Sequence, residues 1–263
     1  MIRVFSYGGG VQSTAALVLA AQARIDYKTF LFCNVGEDSE NPETMKFLRE
    51  YAIPYAVTKG INLYELYHTC YGEQVTLYQQ LTKPGSRTIG IPIRMSNGAP
   101  GNRSCTLDFK IRVVDRYLKK ETLAVAYGAT VGLGISLDEW QRMRTDSGET
   151  WKKLDYPLID LRLTRRDCVN IIRDAGLPIP PKSSCWFCPF HSLRAWQEMR
   201  QEQPELFQKA CELEALLNER RETLGRDKVW FTRKLKPLTQ VTTDYIQDSL
   251  FADDTCESGY CMV

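Results

Sequence analysis

Two stretches of this chain hold residue types at spacings that chemistry uses. The first is Ser184-Cys-Trp-Phe-Cys-Pro-Phe-His191. Cys185 and Cys188 have the Cys-x-x-Cys spacing that brings two thiolates to one metal without strain, and Pro189 follows as in some iron–sulfur runs. Two thiolates do not complete a site, so other ligands must come from elsewhere. Cys256 and Cys261, near the end of the chain, are placed to fold back over it. The competing assignment is a structural zinc held by Cys185, Cys188, His191 and one more thiolate. Cys33, Cys70, Cys168 and Cys211 lie inside apolar or helical patterns and are expected in the core as small hydrophobes.

The second stretch is Ile2 to Phe5, an apolar run that breaks into Gly8-Gly9-Gly10 ahead of Ser13, Thr14 and an alanine-rich helix. Glycines let backbone approach a phosphate, and the amides that open a helix favour an anion. A plain strand-to-helix turn is the bland alternative. The loop is not a Walker sequence, because no Lys precedes Ser13-Thr14, and Gly-x-Gly-x-x-Gly is absent. Farther on, Asp138, Glu139 and Arg142 follow a glycine-containing apolar run. There a carboxylate could take magnesium or a ribose and the guanidinium a phosphate; a solvated helix cap with a surface pair is the alternative.

These residues need a scaffold. Residues 28–35 read as a second buried strand, 42–51 as a helix and 55–58 as a short third strand. Strands alternating with helices specify a parallel sheet. Residues 83–101, rich in Pro, Gly, Ser and Arg, read as a loop over the sheet edge, 108–120 as a basic amphipathic helix, and 123–135 as strand-like with Gly128, Gly132 and Gly134. Residues 156–159 are another short apolar run. Thr164, with Asp167 three residues on, caps a further helix that Gly176 ends. Residues 193–224 read as helical with a break near Pro204. The expected organisation is a nucleotide-binding α/β domain over 1–160 and a helical, cysteine-bearing region over 161–263, packed on the same site.

Composition narrows the class. The chain has 263 residues, 43% hydrophobic, enough for a substantial core, and its net charge of +2 does not by itself demand a nucleic-acid partner. Local clusters could still supply one. Arg87, Arg94, Arg103, Lys110, Arg112, Arg116, Lys119 and Lys120 form one basic stretch. Trp140, Arg142, Arg144, Trp151, Lys152 and Lys153 form another, with Arg162, Arg165 and Arg166 as additions. Such clusters follow a phosphate backbone or form a charged solvent face. No apolar run approaches the ~18 residues of a membrane span, and the N-terminus runs straight into the glycine loop, so a cytoplasmic protein is expected. Nine cysteines in that compartment point to metal or redox chemistry rather than disulfides.

Taken together, these segments resemble the adenine nucleotide alpha-hydrolase group, the PP-loop ATP pyrophosphatases, and within it the phosphoadenosine phosphosulfate reductase family. The family loop Ser-Gly-Gly-Lys-Asp-Ser is similar to Gly8-Gly9-Gly10-Val11-Gln12-Ser13, with Val11 and Gln12 in place of Lys and Asp. Phe32-Cys-Asn-Val-Gly-Glu37 with Pro42-Glu43-Thr44 resembles the motif after the second strand, Asn34 replacing its usual Asp. Arg103-Ser-Cys-Thr106 with Phe109-Lys-Ile111, and Gly134-Ile-Ser-Leu-Asp-Glu139 with Arg142, are similar to two later family segments. The resemblance spans about residues 1–200.

It implies a Rossmann-like parallel sheet flanked by helices. It also implies an ATP and Mg2+ site built from Ser6, Gly8, Gly9, Gly10, Gln12, Ser13, Thr14, Asn34, Gly134, Asp138, Glu139 and Arg142. In DNA phosphorothioation and tRNA thiolation enzymes of this group, comparable cysteines hold an iron–sulfur cluster. Four of Cys105, Cys185, Cys188, Cys256 and Cys261 would then hold a [4Fe-4S] cluster. The implied activity is adenylation of a nucleic-acid acceptor, DNA ahead of tRNA, followed by sulfur insertion, with a cysteine desulfurase as sulfur donor. Homodimers are common among such relatives. Two alternatives remain. One is a sulfonucleotide reductase with Cys256 or Cys261 as nucleophile, although the usual Glu-Cys-Gly-x-His ending is absent. The other is a non-enzymatic nucleotide-binding subunit with structural zinc.

Overall fold

The computed structural model describes residues 1–241. β1 (Ile2–Tyr7) runs through the glycines into α1 (Val11–Ala21), and β2 (Thr29–Asn34) follows. A continuous helical run then comprises α2 (Pro42–Phe47), a π-helical segment Leu48–Ala52 and α3 (Ile53–Thr58). β3 (Asn62–Tyr67) precedes a small antiparallel hairpin of β4 (Thr69–Cys70) and β5 (Glu73–Gln74), and then α4 (Leu77–Thr82). α5 (Ser104–Thr106), a π segment Leu107–Ile111 and α6 (Arg112–Glu121) form a second continuous run. α7 (Ala124–Tyr127), β6 (Ala129–Leu133), β7 (Lys152–Asp155) and α8 (Pro157–Asp160) complete the sheet region. α9 (Arg165–Asp174), α10 (Leu193–Glu202), α11 (Pro204–Thr223) and α12 (Leu238–Val241) follow.

The sheet order is β3-β2-β1-β6-β7, and every neighbouring pair is parallel. The protein is therefore α/β, with helices on both faces of a parallel sheet. Strand side chains alternate. Phe5, Tyr7, Phe30 and Phe32 enter a core with α1, α2 and α9; Val4, Leu31, Cys33 and Val131 enter a second core with α6. α1 is apolar nearly all round because α9 covers its outer side through Cys168 and Ile172. Gly132 is required in β6: a Cβ there would lie 2.6 Å from Phe5 Cδ2 and 2.8 Å from Tyr27 Cζ.

A third core forms beyond the carboxyl ends of the strands. Val35, Leu77, Phe109 and Trp186 join α10 and α11 there, with Trp196 stacked on Phe231. Buried Glu214 of α11 accepts Phe231 N–H at 2.7 Å and Leu238 N–H at 2.8 Å, which pins the chain after α11.

Three expectations need correction. Residues 55–58 are helical, because the run from Pro42 continues through the π segment, and the third strand is Asn62–Tyr67. Residues 124–127 form a helical turn, and only Ala129–Leu133 is strand. The 83–101 stretch is irregular as expected, but its Ile91 and Ile93 are buried in the third core. The Thr164–Asp167 capping box and the end of α9 at Gly176, with φ +74°, are as read. Among the described residues no helix is long and apolar enough to cross a membrane.

Candidate functional site

The strand order reverses between β1 and β6, and ligands of open α/β sheets bind in the crevice at such a switch point. Gly8–Gly10 leave β1 there and Gly134 leaves β6. Gly9 has φ +77°, and a Cβ on it would meet Thr44 Cγ2 at 3.0 Å. A Cβ on Gly134 would lie 3.1 Å from Ser13 N, so the first turn of α1 rests against Gly134 backbone. Gly10 caps α1 without a side-chain acceptor, and the first turn has no acidic residue. The helix thus brings its positive end to the crevice. Ser13 Oγ donates to Gly10 O at 3.0 Å. Thr14 is fully buried and hydrogen-bonded to Tyr7 Oη at 2.9 Å, so it packs the loop rather than facing the crevice.

Gln12 Nε2 donates to Glu139 Oε2 at 3.1 Å, and Arg142 Nη1 donates to the same oxygen at 2.6 Å. Arg142 is 7% exposed, yet its Nε and Nη2 have no partner among the described residues. An arriving anion would satisfy them. Asp138 Oδ1 accepts Arg165 N–H at 3.0 Å at the start of α9. Buried Asn34 shapes the turn after β2. It accepts Gly36 N–H at 2.7 Å and donates to Glu65 at 2.6 Å and Glu37 at 3.0 Å. Ser6 and Gly134 line a cavity of about 100 Å³ at the strand ends, together with Thr106, Lys110, Leu133 and Arg144.

Cys105, Cys185 and Cys188 line a second cavity of about 50 Å³ with Arg103, Lys110 and Phe190. Most of its wall comes from residues 103–110 and 183–190, with Val35, Leu77 and Pro92 completing it. Cys185 pairs with Glu40 in an isolated bridge, and Trp186 donates from N to Ser39 O at 3.2 Å and from Nε1 to Asp38 O at 2.7 Å. Ser183 Oγ donates to Gly8 O, tying the cysteine loop to the glycine loop. Cys105 N–H donates to Gly90 O at 2.8 Å. Arg103 lies 5.2 Å over the Phe190 ring.

Burial raises the thiol pKa values, Cys105 above its ordinary value, Cys185 well above it, and Cys188 to about 11. Burial lowers Lys110, but Glu40 and the neighbouring thiolates outweigh it and the net shift is upward. Arg103 is lowered mainly by burial; Cys105 and Cys188 oppose the shift, and Arg142 and Arg144 add to it. Arg142 and Arg144 therefore stand within electrostatic reach of Arg103, which lines the cysteine cavity.

No group of three or more His, Cys, Asp or Glu side chains among the described residues is placed to hold a single metal ion. One zinc would need its sulfurs about 3.8 Å apart, given ~2.3 Å Zn–S bonds. Three cysteines around one cavity suit an iron–sulfur cluster in number and type. His191 does not support the zinc assignment. Its Nε2 bonds Cys185 O at 3.0 Å and its ring packs edge-on to Trp196 at 4.9 Å. Cys256 and Cys261 lie outside the described residues.

Cys33 and Cys168 are buried as expected and Cys211 is half-buried, but Cys70 is exposed in the small hairpin. The sequence places Arg103 and Lys110 in a basic stretch that either follows a phosphate backbone or forms a charged solvent face. Both instead line the cysteine cavity, and Lys110 and Thr106 line both cavities. Ordinary helical spacing would not have shown this: five residues set Lys110 about 140° round an α-helix from Cys105, and the run between them includes the π segment Leu107–Ile111. His68 is structural, with Nδ1 3.1 Å from Asp108 O and its ring 4.5 Å from Phe109.

No family model matches the chain, and no curated protein does. Among solved structures, it is similar to the U34-tRNA thiolase NcsA from Methanococcus maripaludis with its [4Fe-4S] cluster. The identity is 12% and the TM-score 0.43, over 85% of this chain and 72% of that chain.

Proposed function

We propose that the protein is an ATP-dependent sulfur-transfer enzyme that adenylates a nucleic-acid acceptor and exchanges an oxygen of it for sulfur. One observation carries the reading. The crevice cavity at the strand ends and the cysteine cavity share Thr106 and Lys110 as a common wall. A nucleotide-activated group in the first lies beside thiols in the second.

In this reading the amides opening α1 and the Arg142 guanidinium hold the phosphates of MgATP. An acceptor oxygen attacks the α-phosphorus, the bond to the β-phosphate breaks, and pyrophosphate leaves. Arg103, Arg142 and Arg144 offset the charge that develops. Sulfide, released from cysteine by a desulfurase partner with a thiol as reductant, then displaces AMP, which departs with the acceptor oxygen. Lys110 stands between the cavities, where its ammonium favours an anionic sulfur on one side and the departing AMP on the other. Cys105, Cys185 and Cys188 would hold a [4Fe-4S] cluster, which supplies a Lewis-acidic site for sulfide when bound. DNA is the acceptor to try first and tRNA second.

The test is an absorption spectrum of anaerobically purified protein, with iron, zinc and acid-labile sulfide assayed on the same sample and pyrophosphate release from MgATP measured with DNA and tRNA. Matching iron and sulfide with acceptor-dependent release supports the reading. Zinc without sulfide, or no release with any acceptor in a sample holding the cluster, refutes it.

A further inference from the structure

The turn that carries Arg142 has a second, outward side. Residues Leu137–Arg142 form a 3₁₀ segment with a kink at Glu139. Glu139 and Arg142 face inward to Gln12. Trp140 between them is 64% exposed, and Leu137, Met143 and Leu161 are exposed beside it. Leu137 N–H donates to Leu163 O at 2.8 Å, and Asp138 accepts Arg165 N–H, so residues 161–166 border the turn. The rim therefore joins an exposed indole, a few apolar side chains and several cations at the mouth of the crevice.

The charges on this rim are arranged unequally. Its carboxylates are largely turned onto backbone. Asp138 caps α9, Asp167 accepts Thr164 N–H at 2.8 Å, and Asp146 accepts Gly148 N–H at 2.8 Å. Asp160 is exposed. The guanidiniums of Arg144, Arg162 and Arg166 are exposed and form no ion pair among the described residues. Arg144 is held by its backbone: its N–H donates to Tyr156 Oη and its carbonyl accepts from the same hydroxyl, both at 2.8 Å. It also lines the strand-end cavity, so it spans the rim and the interior. An exposed aromatic face among unpaired cations is the combination that binds single strands: bases stack, and phosphates follow the charges.

We infer that this rim is the docking surface for an unpaired nucleic-acid strand, one base stacking on Trp140 and the flanking phosphates lying along Arg144, Arg162 and Arg166. This rests on the sulfur-transfer reading and specifies its acceptor as unpaired at the reacting nucleotide. A duplex keeps its bases stacked inside and offers no face to Trp140, so it docks poorly. The strand reaches the crevice at Arg144, beside the orphaned donors of Arg142.

The full chain is titrated against fluorescein-labelled oligonucleotides by anisotropy, using single-stranded DNA, RNA of the same sequence and the DNA duplex. At least one single strand binds more tightly than the duplex. Trp140→Ala weakens that binding about tenfold, while Trp140→Phe, which keeps a π-face, retains most of it. The triple variant Arg144→Ala/Arg162→Ala/Arg166→Ala lowers the slope of log affinity against log salt by about 2. Absence of single-strand binding overturns the inference, as does a Trp140→Ala variant that binds like the parent. Sedimentation of the same samples gives a further check. A dimer that Trp140→Ala dissociates puts this face between two copies and also overturns it. Iron, sulfide and pyrophosphate release are assayed in parallel. Trp140-dependent binding without cluster or release keeps the docking surface and removes the sulfur-transfer reading. Cluster and release without single-strand binding do the reverse.

Discussion

Replacing Arg142 by Met separates anion recognition from folding. Arg142 is 7% exposed and forms one ion pair, 2.6 Å to Glu139. Its Nε and Nη2 have no partner among the described residues. The charge-assisted bond contributes about 1.5–3 kcal/mol, whereas each unmet buried donor costs about 1–3 kcal/mol. Met fills much of the same volume without donors. Glu139 keeps the Gln12 bond at 3.1 Å, and its side chain is 21% exposed, so its charge is not stranded. The unliganded variant should therefore match the parent to within about 1–2 kcal/mol. The liganded state should differ more. MgATP at a hundred times its Kd stabilises the parent by about 2.7 kcal/mol, or roughly 5–10 °C in Tm at about 2–4 °C per kcal/mol. Losing guanidinium–phosphate bonds worth about 1.5–3 kcal/mol weakens binding about ten- to hundredfold. At the same MgATP concentration the stabilisation then falls to about 0.4–1.4 kcal/mol. Thermal unfolding with and without MgATP, repeated with pyrophosphate, reads both quantities. A variant that keeps the full ligand shift, or that loses several kcal/mol without ligand, refutes the assignment of Arg142 to the anion site.

Three further outcomes follow from the geometry. Cys105→Ser, Cys185→Ser and Cys188→Ser should each lose most of the iron and sulfide of anaerobically prepared protein, while Cys70→Ser, on the exposed hairpin, keeps both. Equal retention in all four would remove the three-cysteine site. Gly132→Ala places a methyl 2.6 Å from Phe5 Cδ2 and should cost about 1–3 kcal/mol in denaturant unfolding, and an unchanged midpoint would contradict the close packing of β6 on β1. Burial raises the Glu214 carboxyl above its ordinary 4.5, against the pull of two backbone donors. A raised acid contributes stability that is complete below the unfolded value and is lost as pH rises through the folded one. Unfolding free energy of the parent should therefore fall as pH rises from about 4.5, and Glu214→Gln should lack that component; parallel pH profiles would disprove it.

What could be read from sequence was what is local. The glycine loop, the Cys-x-x-Cys pair, β2 and the Thr164–Asp167 cap each depend on neighbours within a few residues. The third strand was misplaced because Tyr55-Ala-Val-Thr58 has strand-type residues but continues the helix begun at Pro42. Asn62–Tyr67 is an edge strand with Asn62 and Tyr64 exposed, and its alternation is too weak to stand out. The roles of Arg103 and Lys110 depend on where the 104–121 helical run meets the cysteine loop, a contact across some eighty residues of chain. The unmet donors of Arg142 are a property of packing and leave no trace in residue order. Asp138 and Thr14 show the converse. Both residue types suit a nucleotide site; in the fold Asp138 Oδ1 accepts an amide at the start of α9, and Thr14 packs in the core.

The two informative stretches lie far apart in the described chain, and the fold joins them through few contacts. Ser183 donates to Gly8 O in the glycine loop. Trp186 donates twice to the turn after β2, and Cys185 bridges Glu40 in that turn. The cysteine loop has no regular structure of its own and takes its shape from these contacts and from the turns Cys188 N–H to Cys185 O and His191 N–H to Cys188 O, each 3.0 Å. An ordered glycine loop therefore favours an ordered cysteine cavity, and a group that fixes the cysteines stiffens the Gly8 backbone. Coupling of this kind is reciprocal. If loading the cysteine site raises MgATP affinity by some factor, MgATP must raise the affinity of the cysteine site by the same factor. The pair of equilibrium measurements distinguishes one connected active site from two sites that only share a wall.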